Sequence, residues 1–428
     1  MEYRPFPDER ADEFRAFMRY AFSPEQGPYD PEAEKDDREY LADYRGLFDG
    51  DDPVAVCGHH DFTLRLRGAD RDVAGLSAVA SPPEHRRRGH VERLLRESLA
   101  EYRSDGVRFS VLWPFEYAFY RRYGWATVSR YRRVEAPPEQ FAFVDDIGDS
   151  SDGGDHGDVD DAGDVGDAGD GAAGGEPAGQ FRRLDADDHA AAAAVLSATA
   201  DRTDFTMART EDWWRERTLR GWKTDPFVYG WERDGELRAL WSYAFEERDD
   251  ADGGTVMVVS DAAVADPSAW DHVFRFCRNH DSQVEAVRLR LPDDRSVLDR
   301  VADPRAVTEE IRTGPMFRLV DVASALEALD PDPAIEAGFT LAVDDPLAEW
   351  HDRLLRVTVG DGTVDVIHED PDTSPDVTAG VGALSQLYAG YRTVDELRAH
   401  ADLAVEDAVT ADLRDLLPPR RTDLREGF

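Results

Sequence analysis

The sequence predicts a mixed α/β and α+β protein, in which two α/β domains of similar element order precede a third, α+β domain. Three observations predict this arrangement. The chain has 428 residues, more than one ordinary hydrophobic core accommodates. Strand-like and helix-like periodicities alternate on both sides of one long acidic segment. That segment, residues 145–179, is rich in Asp and Gly and lacks Lys, Arg and aromatic residues, so we predict a disordered linker there.

The first predicted domain, residues 1–144, begins with a helix, because apolar residues from Phe14 to Phe22 recur at helical spacing. Alternation at Phe62, Leu64 and Leu66 then predicts a strand. The remaining elements, in order, are a strand at about 73–80, a helix at about 89–102, a buried strand at 107–113 and a short aromatic helix ending at Tyr123. Strands that alternate with helices in this way are typical of an α/β sandwich.

The second and third predicted domains cover residues 180–315 and 316–428. The second repeats the order of the first, which makes a diverged duplication plausible. Its elements are a helix at 190–200, strands at about 227–232, 237–245 and 255–265, a helix at about 268–279 and a strand at 286–291. The third has an α+β pattern, with a helix at 322–329, strands at 339–343, 354–359 and 363–368, and helices at 381–388 and 393–399.

The charge of the chain is extreme. Acidic residues number 91 and basic residues 50, which gives a formal net charge of −41, and the only lysines are Lys35 and Lys223. A surface this negative repels phosphate backbones and anionic membranes, so nucleic acid and membrane partners are not expected. Abundant carboxylates with almost no lysine are also typical of halophilic archaeal proteins, and we therefore expect a halophilic origin.

Location and metal chemistry follow from other features. The two cysteines, Cys57 and Cys277, lie far apart in apolar stretches and outside any Cys/His cluster, so we expect reduced core thiols and no metal. The N-terminus is polar, and no run approaches the length of a membrane-spanning helix. A soluble, cytoplasmic protein is therefore predicted.

The strongest functional signal lies between Leu76 and Val91. A predicted strand leads into the turn PPEHRRRGHV, residues 82–91, which opens a helix. Free backbone N–H groups and the positive end of the helix dipole would meet there, and Gly89 allows a close approach to the backbone. This combination suits a pyrophosphate. The alternative is an exposed basic turn that binds nothing, but arginines have the wrong sign for a helix start unless an external anion is bound.

This turn resembles the Q/R-x-x-G-x-G/A loop of the GNAT acetyltransferase superfamily, and it departs from that pattern at Val91, where Gly or Ala is usual. The resemblance implies that acetyl-CoA is the cosubstrate. It places Val79, Ala80 and Ser81 beside the pantetheine arm. It places Arg87, Arg88, Gly89, His90, Val91 and Glu92 around the phosphates, and Phe115 and Glu116 after the next strand.

The segment WPFEYAFYRRYGW, residues 113–125, resembles the FYxxxGF stretch of the same superfamily. There the first tyrosine donates its phenolic proton toward the sulfur of CoA, and the matching residue is Tyr120. A phenol with a pKa of ~10 stays protonated at neutral pH, as a general acid requires. Tyr117 and Tyr123 are the local competitors, and all of these aromatic residues could also serve only as core.

The arginine run, with the bulky Val91 in place of Gly or Ala, resembles the enhanced intracellular survival (Eis-like) acetyltransferases more than it resembles the general superfamily pattern. The segment GPMFRLVDV (314–322) resembles the junction between their second GNAT domain and a third domain, which is similar to sterol carrier proteins. The segment ALSQLYAGY (383–391) matches the helix-turn pattern of that third domain. In this family the α-carboxylate of a terminal Phe acts as general base, and the resemblance assigns that role to Phe428. A disordered polar tail is the alternative. The resemblance also implies a homo-oligomer, and a hexamer is its form in the family.

The expected function is therefore acetyl transfer from acetyl-CoA to a primary amine of a small molecule or a lysine-like acceptor. The alternatives are a non-catalytic acetyl-CoA sensor or scaffold, and a lipid carrier acting through the third domain. Between Asp261 and Trp270 the second domain reads AAVADPSA, without an R-x-x-G-x-G/A loop. We therefore predict that the second domain binds no CoA.

Overall fold

The computed structural model describes residues 1–32, 41–145, 179–222, 224–248, 253–370, 372–400 and 402–428. The predicted linker, residues 145–179, lies outside the described residues except at its two ends. The chain divides into two compact units. One contains residues 1–131, 199–223 and 311–428, and the other contains residues 132–198 and 224–310. The domain boundaries expected from the sequence stay predictions.

The strands and helices follow one another along the whole chain. In chain order the strands are β1 (Glu2–Pro5), β2 (Asp43–Asp49), β3 (Asp52–Leu66), β4 (Ala69–Ala80), β5 (Phe109–Leu112), β6 (Ala126–Thr127), β7 (Arg130–Ala136), β8 (Gln180–Arg183), β9 (Phe227–Arg233), β10 (Glu236–Glu247), β11 (Thr255–Val264), β12 (Ala286–Pro292), β13 (Thr308–Thr313), β14 (Met316–Leu319), β15 (Ala337–Asp344), β16 (Leu355–Gly360), β17 (Thr363–His368), β18 (Val377–Gly380) and β19 (Leu403–Val405). The helices are α1 (Ala11–Phe22), α2 (His90–Ser104), α3 (Tyr117–Arg121), α4 (His189–Ala200), α5 (Glu211–Trp213), α6 (Trp270–Arg278), α7 (Val322–Glu327), α8 (Val381–Tyr388), α9 (Val394–Ala399) and α10 (Thr410–Leu416).

Two seven-stranded sheets share one pattern. The order is β1-β2-β3-β4-β5-β14-β6 in the first sheet and β8-β9-β10-β11-β12-β7-β13 in the second. Each contains a parallel pair at the same place, β4 with β5 in the first and β11 with β12 in the second. The similar order of the two halves, which the sequence predicted, is therefore confirmed. The sequence did not predict that the sixth strand of each sheet comes from a remote part of the chain.

The third sheet has five strands in the order β17-β16-β15-β18-β19 and belongs to the first unit. Its core is continuous with one face of the first sheet, because Phe109 and Phe317 pack in the same cluster as Val357, Leu387 and Tyr388. The α2 helix covers the other face through Leu94, Leu95 and Leu99. Periodic apolar residues thus give each sheet face its own core, as the α/β and α+β patterns predicted.

A buried ion pair joins β14 to the third sheet's domain. Arg318 is fully buried, and its Nη2 lies 2.6 Å from both carboxylate oxygens of Asp345. Its Nη1 donates to the Tyr123 carbonyl, next to Gly124. Gly124 has φ +89°, and a Cβ there would clash with Nη1 of Arg318. Only glycine therefore fits at the end of the turn that follows α3.

Candidate active site

The strands β4 and β5 diverge soon after they meet. They pair only at Ala74–Ser110 and Gly75–Val111, whereas β4 continues to Ala80. The same stretch of β4 carries a bulge, because its register with β3 shifts between Val56 and Gly58. Past Gly75, β4 has no β5 neighbour to pair with. Its backbone groups on that side therefore face the gap between the two strands. Such an edge is suited to binding an extended ligand through its main chain.

The bulge falls among the residues assigned to the pantetheine side. Ala78 has φ +56°, which is unusual for a residue with a side chain. The side chains of Val79 and Ala80 are buried, and Ser81 Oγ donates to the Val54 carbonyl at 2.8 Å. Because these three side chains are engaged within the protein, a ligand along this stretch of β4 could be contacted mainly by backbone groups.

The turn after β4 ends in an uncapped helix. Gly89 is the N-cap of α2, with φ +78° and no side-chain hydrogen bond to the first turn. The amides of the following residues, His90, Val91 and Glu92, are those that a helix leaves without an internal acceptor. A Cβ at Gly89 would meet nothing within 4 Å, so the space beside it is open. This end of α2 can accept an anion from outside.

The side chains of this turn are divided between the surface and the core. Arg87 and Arg88 are exposed, and Arg87 has φ +60°. His90 is buried, which lowers the pKa of its ring, and Val91 packs against the core beneath α2. Glu92 accepts a hydrogen bond from Arg96 at 3.2 Å. Arg86 is exposed too, but its Nε donates to the Ser81 carbonyl at 3.0 Å. Arg87 and Arg88 are therefore the residues of the turn best placed to add positive charge to the helix end.

Tyr120 lies on α3 and is 3% exposed. Its ring packs edge-on against Phe115, Phe119 and Trp125, with centroids 5.5, 5.1 and 6.2 Å away. Burial, with a smaller contribution from Cys57, raises its pKa above the usual value of 10.0. Within the described parts of the chain, the Tyr120 hydroxyl forms no hydrogen bond. It is therefore a protonated donor without a partner.

The two competing tyrosines are engaged elsewhere. The Tyr117 hydroxyl donates to the Gly314 carbonyl at 2.9 Å, and the Tyr123 hydroxyl donates to Glu92 Oε2 at 3.4 Å. Of the two residues assigned after β5, Phe115 is 61% exposed, and Glu116 caps α3 by accepting from the Ala118 amide at 3.2 Å. Among these tyrosines, Tyr120 alone has a hydroxyl that is available for a ligand.

Phe428 packs against the first domain. Its ring lies 4.7 Å from Phe62 and 5.5 Å from His60, edge-on in both cases, and Phe62 in turn contacts Trp213 at 5.5 Å. Tyr120 packs in the core beneath α2, whereas Phe428 packs against the core shared with the third sheet. Tyr120 and Phe428, the two predicted catalytic residues, therefore pack in two different hydrophobic cores.

The residues directly after β5 contact both the C-terminal segment that carries Phe428 and the ring of Tyr120. The indole nitrogen of Trp113 donates to the Glu426 carbonyl at 2.7 Å, and Phe115, two residues further on, touches Tyr120. This short segment is therefore the part of the first domain that connects the surroundings of Tyr120 with those of Phe428.

Sequence reasoning missed His60 and Ser77. His60 Nε2 lies 2.8 Å from Ser77 Oγ, and burial lowers the pKa of the imidazole to about 4. His59 points to the α2 side instead, where its Nε2 lies 3.0 Å from Ser98 Oγ. The neutral His60 ring therefore lines the Phe428 side. Extending the alternation of Phe62 and Leu64 back toward Val54 would have placed His60 on this face.

Two further searches of the described residues gave negative results. No group of three or more His, Cys, Asp or Glu side chains is arranged to hold a metal ion there. No described helix is both long enough and apolar enough to cross a bilayer.

Family models match three consecutive parts of the chain. Residues 2–128 and 206–319 each match an acetyltransferase (GNAT) domain, and residues 322–424 match a sterol carrier protein domain. The chain is 26% identical over 401 residues to an uncharacterized N-acetyltransferase from Streptomyces avermitilis, covering 87% of this chain and 88% of that protein. It is 28% identical over 349 residues to another from Streptomyces griseus, covering 77% and 75%.

Solved structures share the whole architecture. A GCN5-related N-acetyltransferase from Anabaena variabilis superimposes with a TM-score of 0.78 at 16% identity, covering 100% of both chains. Eis1 from Mycobacterium abscessus superimposes with a TM-score of 0.70 at 20% identity, also covering 100% of both. The fold predicted from the sequence, two GNAT domains followed by a sterol-carrier-like domain, is confirmed.

Proposed function

Given that this chain is an N-acetyltransferase built on two GNAT domains, we propose that its first domain transfers an acetyl group from acetyl-CoA to a primary amine of a small molecule or a lysine-like acceptor. One arrangement carries the proposal. The diverging edge of β4 leads directly to the uncapped N-terminus of α2, and the unpartnered hydroxyl of Tyr120 follows on the next helix. GNAT domains use acetyl-CoA as the acyl donor. The three features match, in order, its pantetheine arm, its pyrophosphate and its thioester sulfur.

We propose that each part of the donor has its own contacts. The backbone of Val79, Ala80 and Ser81 pairs with the pantetheine arm. The amides of residues 89–92 and the side chains of Arg87 and Arg88 bind the pyrophosphate. Phe115 and Glu116 border the donor after β5, and the exposed ring of Phe115 offers an apolar contact.

The second GNAT domain supports this assignment by contrast. The turn before α6 is capped by Asp266, whose carboxylate accepts from the Ser268 and Ala269 amides at 3.0 and 3.1 Å. A carboxylate that occupies the first amides of the turn blocks the approach of an anion. We therefore propose that CoA binds in the first domain only.

The chemistry requires two proton movements. The amine nitrogen forms a bond to the thioester carbon as the C–S bond breaks. Tyr120 donates its phenolic proton to the departing sulfur, which its raised pKa allows at neutral pH. The α-carboxylate of Phe428 accepts the proton that the amine loses. The packing of Phe428 on Phe62 and His60 supports an ordered position for this group rather than a disordered tail.

A screen of amine acceptors with purified protein and acetyl-CoA tests the proposal. We expect turnover with at least one primary amine, measured as free CoA released. Binding of acetyl-CoA without turnover of any acceptor would favour the alternative, a non-catalytic acetyl-CoA sensor.

A short Gly/Ser extension after Phe428 tests the general base. It moves the carboxylate and deletes no side chain, so kcat should fall by roughly 10²-fold or more. The matched control adds the same extension before Met1. If the C-terminally extended protein is as fast as the control, the carboxylate is not the base, and Glu116 is the next candidate.

A further inference from the structure

The last residues of the chain are held by an ion pair that is almost fully buried. Nε and Nη2 of Arg209 donate to Glu426 Oε1 at 2.9 and 2.7 Å. The two side chains are 3% and 2% exposed. The other oxygen of Glu426 accepts from the Arg425 amide at 3.2 Å. A carboxylate and a guanidinium removed this far from water depend on each other, because either one alone would be an uncompensated buried charge.

This pair is the last polar anchor before Phe428. Upstream, Thr422 Oγ1 donates to the Val128 carbonyl at 2.6 Å, and the Asp423 amide donates to the Asp204 carbonyl at 3.0 Å. Glu426 is held twice, by Arg209 at its side chain and by Trp113 at its carbonyl. Only Gly427 then separates it from Phe428.

The partner of Glu426 comes from a separate stretch of chain. Arg209 follows residues 205–208, which run along β3 through hydrogen bonds such as Arg65 N to Thr206 O at 2.9 Å. The same stretch leads to Trp213, whose ring contacts Phe62. Residues 205–213 therefore supply both the charge that holds Glu426 and the Trp213 ring, which packs against Phe62, the residue that Phe428 contacts.

We infer that the Arg209–Glu426 pair is a positioning latch, which fixes the end of the chain against β3 and so holds Phe428 in place for acetyl transfer. This inference rests on the proposed role of Phe428 as the source of the base. Arg209 and Glu426 act through Phe428 and not on the acceptor. A group that removes a proton must stay within hydrogen-bond reach of it, and the glycine before Phe428 makes an external anchor necessary.

The test uses Glu426→Gln in the full chain, because this change preserves shape and removes charge. Hydrogen exchange of the peptide covering residues 420–428 reports on the latch without reference to activity. Exchange should become roughly 10²-fold faster, as expected when a buried charge loses its partner. We expect kcat to fall at least about 10-fold, while KM for acetyl-CoA changes less than about 2-fold, since the donor site is untouched.

The matched control is Asp395→Asn, which breaks an exposed ion pair with Arg414 in the same C-terminal region. It should change neither tail exchange nor kcat. The second variant combines Arg209→Met with Glu426→Met, which replaces the pair with apolar side chains of similar length. Tail exchange should then return to within about 10-fold of the wild type, because apolar replacement of a buried pair is often tolerated.

Two results would overturn the inference. Unchanged tail exchange in Glu426→Gln means that the pair is not a latch. Faster tail exchange with unchanged kcat means that the latch does not position anything for the reaction. The C-terminal extension separates these results from a failure of the proposed base, because it leaves Arg209 and Glu426 intact and moves only the carboxylate.

Discussion

Tyr120 differs from its neighbours in what its hydroxyl is free to do. Tyr117 and Tyr123 lie three residues away on either side and pack in the same hydrophobic core. Both already donate, to the Gly314 carbonyl and to Glu92. The match to the FYxxxGF stretch favoured Tyr120 in the sequence, and the hydrogen bonds of the hydroxyl groups distinguish the three side chains physically. The assignment of Tyr120 as the acid stays a prediction.

Replacing Tyr120 with Phe should lower kcat by roughly 10²–10⁴-fold, because the departing sulfur loses its proton donor. KM for acetyl-CoA should change little, since the ring and its packing remain. Tyr123→Phe is the matched control: it removes a hydroxyl three residues away and should keep kcat within about 3-fold. Equal losses in the two variants, measured as CoA release, would refute the role of Tyr120.

The pH dependence of kcat offers a second test at this scale. Burial raises the pKa of Tyr120 above its usual value, so the protonated, donating form persists to higher pH than in a free phenol. Loss of kcat through deprotonation of Tyr120 should therefore begin only above about pH 10. A kcat profile measured from pH 7 to 10.5 checks this. An alkaline limb centred near pH 8 would have to come from another group.

At the scale of elements, the beginnings of α2 and of the turn before α6 show how one fold can leave the first amides of a helix open in one copy and occupy them in the other. At α2 the N-cap is Gly89 and the first amides are open. At the other turn the carboxylate of Asp266 occupies them. A single residue type at the cap thus changes whether the helix start attracts or repels an anion.

We expect acetyl-CoA to raise Tm, and changing Arg87 and Arg88 together to Glu should abolish that rise. At the proposed pyrophosphate site, two attractive charges would become repulsive, and each charge-assisted hydrogen bond contributes roughly 1.5–3 kcal/mol. The control reverses two exposed arginines of the second unit, Arg233 and Arg305, which gives the same net charge. The shift should survive in the control; if it also survives in the Arg87/Arg88 variant, the loop assignment is wrong.

Most elements that contain their own periodicity could be predicted. The helix α2 and the strand β4 were expected within a few residues of their bounds, because their apolar residues repeat on one face. The strand β14 was read only as a domain junction, since its four buried residues show neither alternation nor helical spacing. Its pairing with β5 depends on a contact across about 200 residues, which no local pattern encodes.

The candidate site was predictable where it follows a local motif. The turn at residues 82–91 and the aromatic segment at 113–125 are continuous in sequence, so they could be recognised. Alternation along β3 could have placed His60 on its face of the sheet, but not its contact with Phe428. Arg209 could not be recognised, because its role depends on Glu426, more than 200 residues further along the chain. Long-range contacts of this kind are set by packing and not by periodicity.

At the scale of the whole molecule, the Arg318–Asp345 pair links the first sheet to the third domain. Arg318→Leu should destabilise the protein by about 3–5 kcal/mol, since Asp345 would lose its guanidinium partner and remain buried with only His351 and two backbone amides. Arg318→Leu combined with Asp345→Leu should be less destabilised than Arg318→Leu alone, which urea unfolding can measure. An Arg318→Leu variant with wild-type stability would show that His351 and the backbone amides suffice to stabilise the buried Asp345 carboxylate.

The net charge of −41 makes a prediction for the intact chain. Self-repulsion should fall as salt is added, because the Debye length drops from about 10 Å at 0.1 M to about 3 Å at 1 M. We expect Tm to rise steadily between about 0.1 and 1 M NaCl. Sucrose at matched osmolality is the control, since it stabilises without screening charge. Full stability in dilute buffer would contradict a halophilic origin.

The position of β14 in the first sheet also determines when that sheet can be completed during synthesis. Leu112 of β5 pairs with Met316, about 200 residues later in synthesis. At 5–20 residues per second, β5 waits roughly 10–40 s for this neighbour. During that time the nascent first domain presents an open strand edge, which is a template for association with other chains. We therefore expect slower translation through residues 113–315 to lower the yield of folded protein, although none of those residues belongs to β5 or β14.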